Sequence, residues 1–204
     1  MNVFGFAQDR AGAAIFARVA GEEGPARRDR IHLAEGPRRF GPDSAIQRVH
    51  SDASMFVGGM RALLLQSLHP LAMAAVDQHS GYRGDPWGRL QRTSTFLAET
   101  TFGTIEDADR AVRIVRAVHG RIRGTAPDGR SYEASDPHLL RWVHIAEIDS
   151  FLRAHDRYGA RRLDAGGRDA YVSEAAHVAR ALGAVDVPET VAELDELMAA
   201  YRPE

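Results

Sequence analysis

Apolar residues along this chain recur mostly at helical spacing, and no segment of more than a few residues alternates as a half-buried strand would. The longest such pattern runs from Asp52 to Asp77, where Met55, Met60, Leu63, Leu64, Leu68, Leu71 and Ala75 follow one another at intervals of about one turn. Its centre is apolar nearly all round, which predicts a buried helix. Pro70 removes one backbone bond and predicts a kink in it. The loop after it contains Gly81 and Gly84. Pro86, suited to a first turn, opens a helix that stops at Gly103. Thr104, with Asp107 three residues on, caps the next helix, which the pattern carries to about Arg123 and Gly124.

The rest of the chain reads in the same way. Asp9 to Ala20 has the pattern of a short helix, and Gly21 to Pro42, rich in glycine, proline and charge, reads as an irregular arm. Asp43 is placed to cap a helix ending near His50. Pro127, Asp128 and Gly129 mark a turn, with a small hairpin between Thr125 and Ala134. Asp136-Pro137 starts a helix to about Arg157. Another spans Arg168 to Leu182 before Gly183, and a last one runs from Pro188 to about Tyr201 with Thr190 as its cap. The fold class is all-α: six or seven helices, a multi-helix bundle, with an N-terminal arm at 1–51 and a helical domain at 52–204. The chain ends at Glu204 directly after a helix, as a fragment of something longer would.

Composition narrows the chemistry. The 204 residues contain no cysteine, which removes disulfides, thiolate metal sites and cysteine nucleophiles. All 26 basic residues are arginine, so lysine Schiff bases and lysine general bases are absent too. A net charge of -2 gives no general attraction to nucleic acid or anionic lipid. Arg61, Gln66, His69 and Pro70 interrupt the most apolar stretch, so it does not qualify as a membrane span. The N-terminus lacks a positive segment ahead of an apolar one, which reads as no signal peptide and a cytoplasmic protein. There is no glycine-rich phosphate loop, nucleophile elbow or HExxH motif.

What remains is carried by two neighbouring helices. On the one capped by Thr104, Val112, Val115, Arg116, His119, Ile122 and Arg123 fall on one face. A buried imidazole can be an axial ligand to haem iron, with arginines a turn above and below pairing with its carboxylates. It can equally be a boundary histidine bonded to a carbonyl, with the arginines reaching out to solvent. On the preceding helix, Arg89, Thr93, Phe96, Leu97 and Thr100 share a face with Arg92 close by, a group able to hold an oxygen species or a carboxylate. Glu174-x-x-His177 and His144-x-x-Glu147 have the residue types of a di-iron carboxylate bundle, but only the first runs in the order such sites use. His144, His69, Asp77 and His79 read as structural.

Several stretches taken in order resemble one known family: HPLAMAAVDQHSGYRGDPWGRLQRT, FGT, VRAVHGRIRG and SYEASDPHLLRWVHIAEIDSF. They are similar to the oxygenase MpaB and latex-clearing-protein (rubber oxygenase) family, and the resemblance extends over roughly Asp52 to Tyr201. It implies a globin-like all-α core holding haem b, and oxidative cleavage of isoprenoid double bonds with O2. Carried over by residue, it makes His119 the haem iron ligand and places Arg116 and Arg123 beside it as cofactor-binding residues. Arg89, Arg92 and Thr93 become the catalytic group next to the haem. Arg92 stands where latex-clearing proteins have a lysine. An arginine stays protonated and cannot serve as a switching ligand or base, so a small lipophilic substrate is expected here rather than rubber. Asp77 is the nearest acidic candidate for a base. The remaining alternative is a helical module that binds haem or lipid without catalysis.

Overall fold

In the computed structural model the described residues are 14, 17–81 and 84–202. Most of the helix expected at Asp9 to Ala20 lies outside them, although 17–20 are helical. The helices in chain order are α1 (Gly24–Leu33), α2 (Ala45–His50), α3 (Ser54–Gln66), α4 (Pro70–His79), α5 (Pro86–Phe102), α6 (Ile105–His119), α7 (Pro137–Tyr158), α8 (Ala165–Leu182) and α9 (Val191–Ala200). Between α6 and α7 stands a two-stranded antiparallel hairpin, β1 (Arg123–Thr125) and β2 (Ser131–Glu133). The class is mostly all-α, as the pattern requires.

The chain divides into two compact units. One consists of 1–39 and 80–111, the other of 40–79 and 112–204. In the first, α1 packs on α5. The stretch expected to be an irregular arm therefore contains a helix. Pro25 sits in its first turn, where a missing N–H costs nothing, and its one large buried side chain, Ile31, anchors it. Arg38 fixes its end by donating to the carbonyls of Ile31 (3.0 Å), His32 (3.0 Å), Ala34 (2.9 Å) and Phe102, so one guanidinium satisfies the last carbonyls of both α1 and α5. Arg27 adds a bond to the Thr95 hydroxyl at 3.0 Å.

The second unit is built round α7, whose inward residues Ile145, Ala146, Ile148, Phe151 and Leu152 are at most 3% exposed. Helices α3 and α8 pack along it, α9 packs against both α7 and α8, and α2 contacts α8 and α7. The long helix expected over 52–77 is two helices. It breaks at 67–69, and Pro70 opens α4 instead of kinking a continuous helix, since a proline is at home where its missing N–H is an orphan anyway.

The expected burial of α3 is also corrected. Val57, Met60, Leu63 and Leu64, with Leu68 just beyond, are 41–71% exposed, while Ser54, Gly58 and Ala62 face inward. The small stripe allows close approach to α7. A Cβ at Gly58 would lie 2.8 Å from the Phe151 ring and 3.0 Å from its Cα. Apolarity all round thus concealed which side was interior, because the side that packs is the one with the smallest residues.

Caps follow the expected residues in most places. Asp136 and Thr190 each accept a backbone N–H from their helix; Asp85 does the same at α5, where Pro86 alone marked the expected start. Thr104 accepts from Asp107 N at 3.1 Å and gives its own proton to that carboxylate. At α2 the cap is Ser44 and not Asp43.

Candidate functional site

Helix α6 ends at His119, not at Arg123. Gly120 follows in a turn, in which Ile122 N donates to the His119 carbonyl at 3.1 Å. Arg123 is the first residue of β1, so the expected single helical face stops at the histidine. The reason is local: the hairpin ladder, with Arg123 opposite Glu133, Gly124 opposite Tyr132 and Thr125 opposite Ser131, takes up the backbone that a further helical turn would have used.

On that face Val112 is buried, Val115 and His119 are half-buried, and Arg116 is exposed. The His119 Nδ1 is buried and has no hydrogen-bond partner among the described residues. Burial holds the imidazole below its ordinary pKa, so it is neutral at pH 7 and one ring nitrogen offers a lone pair. Arg116 donates to the Ala181 carbonyl at 3.0 Å, and Arg123 to the Gly120 carbonyl at 3.5 Å. Neither guanidinium has a carboxylate within ion-pair range among the described residues. That sets them apart from most arginines that do pair, such as Arg61 and Arg153, which converge on the buried Asp149 at 2.7 Å and 2.6 Å.

The second triad lies on the first turns of α5. Arg89 is half-buried; Arg92 and Thr93 are exposed. The Thr93 hydroxyl donates to the Arg89 carbonyl one turn back, at 3.1 Å. Arg92 stands 3.7 Å from Asp85, the cap of its own helix, with both side chains well solvated. These three residues belong to one unit, and Arg116, His119 and Arg123 to the other.

The remaining titratable candidates separate clearly. Glu174 accepts the Ile46 N–H at 2.7 Å. His144 is buried with its Nε2 unpartnered, and burial lowers its pKa to about 3. Glu147 is pushed up to about 7 by the same cause. Among the described residues no three His, Asp or Glu side chains converge as a metal site requires, so the di-iron arrangement has no ligand set there. His69 is buried and its Nδ1 meets the Ala72 N–H at 3.5 Å at the start of α4, a structural placement.

Sequence reasoning treated His79 as structural and passed over Tyr132. The structure joins them: the His79 Nε2 lies 3.1 Å from the Tyr132 hydroxyl, directly beside the strand that follows His119. Both fall within quoted motif stretches. The signal that could have found them is a tyrosine and a histidine-glutamine pair left without a role in otherwise assigned motifs.

A family model described as "ER-bound oxygenase mpaB/B'/Rubber oxygenase, catalytic domain" matches residues 47–204. Among curated proteins, an uncharacterized protein of Mycobacterium tuberculosis and one of Mycobacterium bovis are each 35% identical to this chain over 81 residues, which is 40% of this chain and 31% of the relative. The aligned stretch thus spans less than a third of those relatives. No solved structure matches.

Proposed function

The chain belongs to the mpaB/rubber-oxygenase catalytic-domain family, and from that premise we propose that it is a haem-b-dependent oxygenase acting with O2 on a lipophilic substrate of isoprenoid type. The observation that carries the haem reading is the end of α6. A desolvated neutral histidine with an orphaned ring nitrogen is flanked in sequence by two arginines that have no acidic partner among the described residues. A buried polar atom without a partner costs free energy, about 1–3 kcal/mol, and only a group that bonds that same ring nitrogen removes the cost. Two cations lacking a carboxylate match a ligand that brings its own.

In this reading His119 would ligate the haem iron, and Arg116 and Arg123 would pair with the haem carboxylates. The haem, when bound, supplies the oxygen chemistry. The protein's part is to keep the His119 imidazole neutral by burial, so that its lone pair is free for iron at physiological pH. Arg89 and Arg92 supply fixed positive donors. The Thr93 hydroxyl spends its proton on the Arg89 carbonyl and retains lone pairs that can accept a hydrogen bond. The arginines stay protonated throughout, so they orient and stabilise negative charge but take no proton. Among the described residues no helix is long and apolar enough to cross a membrane.

Purified protein reconstituted with haem tests the assignment. The expected result is a Soret band and a positive pyridine haemochrome, with one iron per chain, and loss or shift of the band in His119→Ala. An unchanged spectrum in that variant refutes the ligand. Oxygen uptake with farnesyl-type substrates then separates an oxygenase from a module that only binds haem.

A further inference from the structure

The segment after His119 is seated on α4 by a small polar network that has no role in the assignments above. Tyr132, on β2, is 3% exposed. Its hydroxyl donates to the Gln78 Oε1 at 2.8 Å. A phenol has one proton to give, so the His79 Nε2, 3.1 Å away, carries a hydrogen and donates to the phenol oxygen. The Gln78 Nε2 in turn donates to the Thr125 carbonyl on β1 at 3.0 Å. That fixes the amide's orientation: its oxygen serves the phenol and its nitrogen the strand. The ring crosses β1 at Gly124, where a Cβ would lie 2.5 Å from the phenol oxygen and 3.0 Å from the Gln78 Oε1. Beneath the network, Ala74, Ala126, Tyr132 and Leu139 form a buried cluster against which Leu71, Ala75 and Ile122 pack.

From this seat the constraint runs back to the histidine through bonded backbone. Tyr132 is paired with Gly124 in the ladder, Ala134 N donates to the Ile122 carbonyl at 2.9 Å, and Ile122 N donates to the His119 carbonyl at 3.1 Å. Only a turn separates the end of α6 from β1, so residues 119–123 move with the hairpin, and the hairpin is held by α4.

We propose that Tyr132, gripped by Gln78 and His79, is a positioning residue that sets the placement of His119 and Arg123 for their ligand. It acts by holding the hairpin that fixes the backbone between them. The proposal rests on the reading of His119 and Arg123 as the ligand-binding pair, and its test is arranged so that the two can fail separately.

The first arm uses the apo protein. Tyr132→Phe keeps the ring and removes the hydroxyl. Amide exchange at Ile122 and Ala134 should quicken about tenfold, while Ile145 and Val172 in the α7 and α8 core keep their wild-type protection. His79→Gln, which retains an N–H donor, should restore most of the protection that His79→Leu loses. Unchanged exchange at Ile122 and Ala134 overturns the proposal, and so does equal acceleration in the core, which would mean general destabilisation. Gly124→Ala displaces the same ring sterically and gives a second route to the same result. In the second arm, haem titration of Tyr132→Phe should show affinity reduced about tenfold and a shifted Soret maximum. Wild-type affinity and spectrum in a variant with quickened exchange at Ile122 also overturn it. If the wild-type chain takes up no haem at all, the ligand reading fails, while the exchange arm still decides whether Tyr132 holds the His119 turn.

Discussion

The end of α6 and the first turns of α5 carry matching numbers of polar candidates, and they are built on opposite plans. At the end of α6 a histidine is desolvated and, among the described residues, its Nδ1 has no partner and the two arginines near it in sequence reach only backbone carbonyls. At the start of α5 a threonine hydroxyl is bonded to its own helix, and an arginine stands beside the aspartate that caps it. The first arrangement is incomplete by itself and gains from a ligand. The second is locally satisfied, so any role it has must come from redirecting groups that are already content. A polar motif in a sequence does not distinguish these cases; the partners do.

Burial and neutrality alone do not make a ligand, and acid should show this with the largest effect. In the second unit His144 is buried and His50 half-buried, and both are lowered to about 3 by desolvation. A histidine whose folded pKa lies below its unfolded value stabilises the fold fully above pH 6.5, and loses that contribution as pH falls toward the folded value. Each group costs about 1.4 kcal/mol per pH unit in that window. Glu147, raised to about 7, works the other way: its burial is unfavourable once ionised, so acidification from pH 7 toward 4.5 relieves it. Two histidines against one carboxyl leave a net loss of roughly 1–1.5 kcal/mol per unit between pH 6.5 and 4.5. Chemical denaturation across that range measures it. If His144→Gln removes most of that slope while haem uptake survives, the buried imidazoles are separated from the one assigned to iron. Loss of haem uptake in His144→Gln at unchanged stability would erase the distinction drawn for His119.

The next effect tests the arginines. Replacing Arg116 and Arg123 together by glutamine should weaken haem binding about tenfold, because each exposed cation contributes only about 0.5–1 kcal/mol to a carboxylate. The loss should shrink in high salt. Arg92→Gln removes a solvated pair at 3.7 Å and should change stability by less than about 0.5 kcal/mol and haem affinity less than twofold. Equal losses from both ends, measured by titration at two salt concentrations, would break the contrast.

Much of this is legible in the sequence. Caps at Thr104, Asp136 and Thr190 are local side-chain-to-backbone chemistry, and local chemistry can be read from neighbours in sequence. The hairpin was legible for the same reason, through Pro127, Asp128 and Gly129. What escaped depends on distant partners. The inward side of α3 is decided by Gly58 meeting Phe151, and the helix in the arm by Arg38 reaching Phe102. The His119 stripe was drawn one turn too long because the pairing of Arg123, Gly124 and Thr125 with Glu133, Tyr132 and Ser131 ends the helix. The Tyr132 network joins side chains more than fifty residues apart, beyond the reach of any periodicity.

The smallest effect is the most discriminating for α5. Thr93→Val keeps the shape and removes a hydroxyl whose one proton goes to the Arg89 carbonyl. That bond lies on an exposed helix turn, and such back-bonding adds little to helix stability. Thermal unfolding should therefore shift by no more than the equivalent of about 0.5 kcal/mol. If the hydroxyl serves only the helix, oxygen uptake by the haem-loaded protein will be unchanged as well. If its lone pairs are used during the reaction, uptake will fall several-fold in Thr93→Val and recover in Thr93→Ser, which restores the oxygen without the methyl group. Recovery in the serine variant, with stability flat across all three proteins, gives Thr93 a part in the chemistry that its satisfied geometry alone does not reveal. A flat rate across all three confines the functional residues to the incomplete end of α6.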